Sequence, residues 1–276
     1  MNKNSLHTKK SIKKALNSVK WIDVLFISLF IPLVLYLFFL LPRDISSYLV
    51  LSSEVFYPWA VFTSAFIHFG MGHLASNIGY FVVFGLTGYW LLFRTGKRKV
   101  FLLLLGMFLF IVPPIASSLS ISLTFLKTTH GFSAVVSALL GLIPVALAYY
   151  LKKNSVELSF ENLCFSFLLI GVSIILLKYL DNLLLGIIFF AVIITLGLIL
   201  LYEELTKIDL DSSRLTGKMI YFSFLSFVIY FAGLYFSIPG PGTAISASGP
   251  HTNVLSHYIG FLLGVIISYI VIKKRD

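Results

Sequence analysis

The stretch GFSAVVSALLGLIPVALAYYL, residues 131–151, decides how this chain folds. It is an apolar run of the length that carries a helix across the hydrocarbon core of a bilayer. It opens on Gly131-Phe132-Ser133-Ala134, and about 120 residues later His257 opens another such run. A serine and a histidine at matching depth in lipid are costly unless they are used. That pair is the first candidate for a functional site.

Working outward, the chain has 276 residues, of which 58% are hydrophobic and 12% charged. A soluble domain carries about 25% charged residues. Apolar runs recur at 21–41, 73–93, 100–121, 131–151, 158–177, 182–202, 219–238 and 253–272. The pattern predicts an all-α polytopic membrane protein of about eight spans, with no separate soluble domain. Residues 1–20 read as a basic N-terminal segment, 21–272 as the membrane domain and 273–276 as a basic tail. The first apolar run is long and lacks a small-residue cleavage site, so it reads as a retained helix. The stretch 42–72 is interrupted by Pro42, Arg43, Asp44, Glu54 and Pro58. It reads as a long loop lying partly in the interface, with Tyr57 and Trp59 at headgroup level. Asp23 and Glu161 fall at helix ends, where they would reach the headgroups.

A net charge of +10 would suggest a nucleic-acid partner in a soluble protein. Here the cations cluster between apolar runs, so the bilayer is the expected partner and nucleic acid is not. With the N-terminus in the cytoplasm, 18 of the 21 lysines and arginines fall on cytoplasmic segments; only Arg43, Lys127 and Lys178 fall outside. This bias sets the orientation. Both termini are then cytoplasmic, in what reads as the cell membrane, and Ser133, His257, His73 and Asn77 share the outer face. The single cysteine, Cys164, excludes an internal disulfide.

Each of these residues also has an ordinary reading. A membrane serine usually hydrogen-bonds its own helix, and a histidine can steady two helices through a carbonyl. His257 is followed by Gly260 and Gly264, on the same helix side, making a strip where a second helix can pack closely. The small residue Gly131 beside Ser133 leaves room for such an approach. His73 and Asn77, four apart, share a face. They are either donors aimed at an oxyanion or glue between helices. His68 lies just before them and braces the region, while His130 and His251 read as loop histidines needing no explanation. A zinc site built on His73 and His257 is not expected, because no carboxylate or thiolate lies at that depth. No other metal or cofactor is implied.

Taken together, the segments His73-Leu-Ala-Ser-Asn77, Gly131-Phe132-Ser133-Ala134 and His257-Tyr-Ile-Gly260 resemble the His-x-x-x-Asn, Gly-x-Ser-Gly and His-x-x-Gly motifs of the rhomboid family of intramembrane serine proteases. The stretch from Pro58-Trp59 to His68-Phe69 also looks like the family's segment before its second core helix. The departures are Ala134 for glycine, Ala60 for an arginine, Ser137 for a tyrosine and the lack of an acidic residue near Arg94. The resemblance implies a six-helix core with two extra transmembrane helices, 158–202, inserted between the fourth and fifth core helices.

It further implies a serine endopeptidase acting on transmembrane protein substrates near the outer end of their helices. Ser133 would be the nucleophile and His257 the general base. The Ser133 backbone N–H, His73 and Asn77 would stabilise the oxyanion, where one donor is worth about 3–4 kcal/mol. With no acidic residue to orient His257, packing must do so. The Gly- and Pro-rich stretch 239–250 would form a mobile lid. Two further readings remain: a catalytically inactive rhomboid-like protein that binds or escorts membrane clients, and a small transporter. No internal repeat supports the transporter.

Overall fold

Inside lipid every backbone N–H and C=O must find its partner within the protein, and an apolar run does so by becoming a helix. The computed structural model describes residues 20–123, 127–155, 157–179, 183–208, 216–238 and 253–275. Helix α1 (Trp21–Phe39) is followed by two short helices, α2 (Arg43–Ser47) and α3 (Ala60–Thr63). Then come α4 (Met71–Arg94), α5 (Arg98–Phe110), α6 (Val112–Leu123) and α7 (Ser133–Asn154). The chain continues through α8 (Phe160–Tyr179), α9 (Leu183–Leu205), α10 (Gly217–Ser237) and α11 (Val254–Lys274).

Seven of these spans are long and apolar enough to cross a bilayer: α1, α4, α5 with α6, α7, α9, α10 and α11. Each of the eight expected runs coincides with helix. The run at 158–177 is the one that falls short, its apolar described stretch being Phe160–Ile175. The protein is an integral membrane protein of the all-α polytopic class.

Proline sets the irregularities. Pro32 has no N–H to return to the preceding turn, and a π-helical stretch, Phe26–Phe30, lies just ahead of it. Pro113 and Pro114 follow the break between α5 and α6 at Ile111.

Residues 42–72 depart from the expected loop. Beyond α2 and α3 they hold a 3-10 turn, Ser64–Phe66, and a short strand β1 (Leu51–Ser52). β1 pairs antiparallel with β2 (Thr128–Thr129), Leu51 opposite Thr129 and Ser52 opposite Thr128. Side chains occupy the backbone groups that a loose loop would leave to water. Trp59 Nε1 donates to the Tyr48 carbonyl at 2.9 Å, and Thr63 Oγ1 to the Leu49 carbonyl at 2.9 Å. Tyr57 stacks on Trp59.

Helix α7 is the axis of the bundle. It packs against α11, α4, α10, α8, α6 and α5, and every residue from Ser133 to Leu151 is buried. Helix α8 rests on α7 and α10, and α9 lies outside it against α8. At the end remote from Ser133, Glu204 of α9 is buried. It accepts from the Ser159 N–H and from Asn162 Nδ2, both at 2.8 Å, and pairs with Lys207. The carboxylate thereby satisfies an orphan donor at the start of α8.

Asp23 turns into the protein. It is buried, accepts from Tyr89 Oη at 3.0 Å, and takes a bidentate pair of bonds from Arg98 at 2.5 and 2.7 Å. An apolar periodicity cannot reveal this fork, because Arg98 lies 75 residues away. Glu161 is half exposed and pairs with Lys273 at 2.9 Å.

Candidate active site

The approach to Ser133 is fixed by one glycine. Gly131 has φ of +108°, a conformation that side chains disfavour, and a Cβ there would stand 2.8 Å from His73 Cε1. Its N–H donates to the Ser64 carbonyl at 3.0 Å. The chain therefore turns sharply out of β2 and begins α7 at Ser133. Val135 and Val136 both donate to the Phe132 carbonyl. The N–H groups of Ser133 and Ala134, at the very start of α7, have no acceptor within the helix. They sit at its positive end.

Helix α11 starts beside this point. Asn253 caps it by accepting the Ser256 N–H at 3.1 Å, and Asn253 Nδ2 reaches Thr129 Oγ1 of β2 at 2.6 Å. From there α7 and α11 run in backbone contact. A Cβ on Gly260 would stand 2.8 Å from Ala134 Cα, and one on Gly264 2.6 Å from Ala138 Cα. On the other helix, a Cβ on Gly141 would stand 2.9 Å from the Val265 nitrogen. The expected strip at Gly260 and Gly264 is thus the packing surface, with Ala134, Ala138 and Gly141 opposite it.

Close approach brings two polar pairs together. Ser133 Oγ lies 3.3 Å from Ser256 Oγ, and Ser137 Oγ lies 3.4 Å from His257 Nδ1. All four side chains are buried. Ser256 Oγ donates its proton to the Asn253 carbonyl at 2.8 Å, so Ser133 is the donor in its own bond. The backbone of Ser237, at the end of α10, also faces the imidazole of His257. The hydroxyl of Ser133 and the ring of His257 thus occupy one patch, each bonded to the sequence neighbour or helical neighbour of the other.

His73 and Asn77 of α4 flank the turn into Ser133. The His73 ring packs under Gly131 and lies edge-on to His68, with ring centroids 5.0 Å apart. Asn77 Nδ2 is bonded to His68 Nε2 at 3.0 Å. At least one of its two amide protons is therefore engaged with His68. His68 is buried, with Nδ1 3.2 Å from the Phe66 carbonyl and Nε2 3.4 Å from the Phe132 nitrogen. Burial, reinforced by nearby His73, lowers its pKa to about 3.

His130 differs from the reading of a plain loop histidine. Its ring packs on Phe69 at 4.8 Å and lies 6.4 Å from His73, and burial takes its pKa down to about 4. Among the described residues its Nδ1 is buried without a hydrogen-bond partner. Although these rings adjoin, no three His, Cys, Asp or Glu side chains among the described residues converge as metal ligands would.

One contributor, Ser256, escapes the sequence reading, while Ser137 enters it only as a departure from the family's tyrosine and His68 only as a brace of the region. Ser137 is one turn beyond Ser133 and so shares its face, a signal that spacing offered. Ser256 adjoins His257, but only the Asn253 cap fixes its direction. His68 meets Asn77 and Phe132 through a fold in the chain that no periodicity encodes. The proposed lid 239–250, and His251, lie outside the described residues. Chemically, the α7–α11 contact holds a buried hydroxyl and an imidazole, and the turn into α7 sets the Asn77 amide and the Phe132 N–H on His68. Comparison of the chain with family models, curated proteins and solved structures finds no match.

Proposed function

We propose that this chain is a rhomboid-type intramembrane serine protease that cleaves transmembrane protein substrates by a Ser133–His257 dyad. The observation that carries the reading is the backbone-close packing of α7 on α11, which sets Ser133 and Ser137 against Ser256 and His257. The six core helices would be α1, α4, the broken α5–α6, α7, α10 and α11. Helices α8 and α9 would be the inserted pair, stacked outward from α7 so that the α7–α11 and α7–α4 contacts stay intact. The cationic turns fit cytoplasmic termini in the cell membrane and a site near the outer face.

In the reaction, Ser133 rotates about χ1 from its bond with Ser256 to one with His257, a move between staggered wells. His257 takes the hydroxyl proton as Oγ attacks the substrate carbonyl. The free N–H groups at the start of α7, with His73 and Asn77, receive the oxyanion. The imidazolium then protonates the leaving amine, and water deprotonated by His257 hydrolyses the acyl-enzyme. Ser137 supplies the orientation that no carboxylate gives. Its Oγ, 3.4 Å from the ring, would accept from His257 Nδ1–H and so keep Nε2 free as the base. A groove of about 360 Å³ between α4 and α10, lined by Gly79, Tyr80, Val83, Ile229, Ala232 and Phe236, gives an apolar surface for a substrate helix.

The test is cleavage of a reporter transmembrane substrate by the purified protein in liposomes, alongside Ser133→Ala and His257→Ala. Cleavage is expected from the wild type and from neither variant; retained cleavage in either variant rejects the dyad. The bond from Ser133 to Ser256 rather than to His257 favours one competing reading, an inactive rhomboid-like binder of membrane clients. Failure of the wild type to react with a fluorophosphonate that labels an active relative would select that reading.

A further inference from the structure

The buried His68 has a tautomer fixed by its surroundings. The Phe66 carbonyl, 3.2 Å from Nδ1, can only accept, so the proton of the neutral ring is on Nδ1. Nε2 is then a bare lone pair. Two donors converge on it: the Asn77 amide at 3.0 Å and the Phe132 N–H at 3.4 Å. These two groups belong to different elements, α4 and the turn into α7. Phe132 directly precedes Ser133, and Asn77 is one turn along α4 from His73, whose ring packs under Gly131. A ring that is 3% exposed cannot exchange these donors for water. Protonation would remove the acceptor, and burial opposes it throughout the physiological range.

We propose that His68 is the positioning residue of this site: its Nε2 lone pair clamps the Asn77 amide to the Phe132 peptide and so orients both the amide and the peptide that leads into Ser133. This role rests on the protease reading. The clamp aims the second Asn77 amide proton and orients the peptide chain that presents the Ser133 N–H. Without the clamp, Asn77 turns about its side-chain torsions, and the Phe132 N–H loses its acceptor while Gly131 keeps its bond to Ser64. Neither group would leave the site; each would lose its direction. Oxyanion donors act through preorganised direction, so the loss falls on the rate of the chemical step and spares binding.

Two measurements test it on the full chain in detergent micelles. The first is the ¹⁵N imidazole spectrum of His68 between pH 5 and 8. Protonated Nδ1 and unprotonated Nε2 are expected across the range; a proton on Nε2 overturns the clamp. The second is fluorophosphonate labelling of Ser133, resolved into inactivation rate and apparent affinity. His68→Ala is expected to slow inactivation about 10- to 100-fold with affinity unchanged, less than outright removal of an oxyanion donor. His68→Gln, whose amide oxygen can accept from Asn77, is expected to recover to within about threefold of wild type by restoring that bond. Adding His68→Ala to Asn77→Ala should slow the reaction by less than about threefold, because the two act as one unit. Wild-type labelling with an equally fast His68→Ala overturns the positioning role alone. No Ser133 labelling in the wild type overturns the protease reading and this role with it.

Discussion

Replacing Gly264 with alanine probes the packing on which the site depends. The new Cβ would stand 2.6 Å from Ala138 Cα, where ordinary contact begins at 3.4 Å. The Ala138 carbonyl oxygen lies nearer still, so helices α7 and α11 must part by more than about 0.8 Å there. The obstacle is backbone, so no rotamer change relieves it, and overpacking of this kind costs about 1–3 kcal/mol. At roughly 2–4 °C per kcal/mol for a chain in this size range, thermal unfolding in detergent should fall by roughly 2–12 °C. The Ser137–His257 bond, already 3.4 Å long, would not survive a comparable shift, so Ser133 labelling should slow as well. Gly106→Ala is the control: a Cβ there meets nothing within 4 Å, and unfolding should stay at the wild-type temperature or rise slightly. Adding Ala138→Gly to Gly264→Ala should not rescue stability, since the clash is with Ala138's backbone. Gly264→Ala unfolding with Gly106→Ala, or rescue by Ala138→Gly, would refute the backbone-contact account.

Further outcomes follow from other contacts. Ser137→Ala removes one hydrogen bond from His257 and should slow Ser133 labelling by roughly 3- to 10-fold. Ser137→Thr should restore most of the rate, and the pH–rate profile should shift in the alanine variant only. Asp23→Ala strips Arg98 of its partner and should destabilise by about 2–3 kcal/mol, measured by unfolding in detergent; the cost stays below that of a fully buried pair because Arg98 keeps 28% of its surface. Glu204→Ala uncaps α8 and should raise hydrogen exchange at Ser159–Leu163 while leaving Ser133 labelling unchanged. His68 and His130 have native pKa values of about 3 and 4, below the 6.5 of an unfolded histidine. The unfolded chain therefore binds more protons between pH 6.5 and 4, and stability should fall as pH drops through that window. Each histidine contributes at most about 1.4 kcal/mol per pH unit. A pH series of unfolding temperatures should flatten in His130→Gln; an unchanged slope would clear that residue.

The membrane class and the position of every long helix were legible in the sequence, because a backbone in lipid has no solvent partner and an apolar run near 20 residues has one stable answer. The glycine strip at Gly260 and Gly264 was legible too, since an absence of side chain is visible in sequence and means closeness wherever it faces another helix. The folding of residues 42–72 was not. Its bonds, such as Trp59 to Tyr48 and Leu51 opposite Thr129, join side chains and strands whose pairing has no periodic signature.

The same division runs through the candidate site. Sequence by itself picked out Ser133, His257, His73 and Asn77 as polar groups expected at one depth, because the cost of burying them in lipid is a property of residue type and position. Only the tertiary structure decided their partners: Ser133 with Ser256, His257 with Ser137, Asn77 with His68, and, elsewhere, Asp23 with Arg98. A hydrogen bond is fixed by direction over about 3 Å. Direction at that scale comes from how helices cross and where a glycine such as Gly131 turns the chain, and both are products of packing.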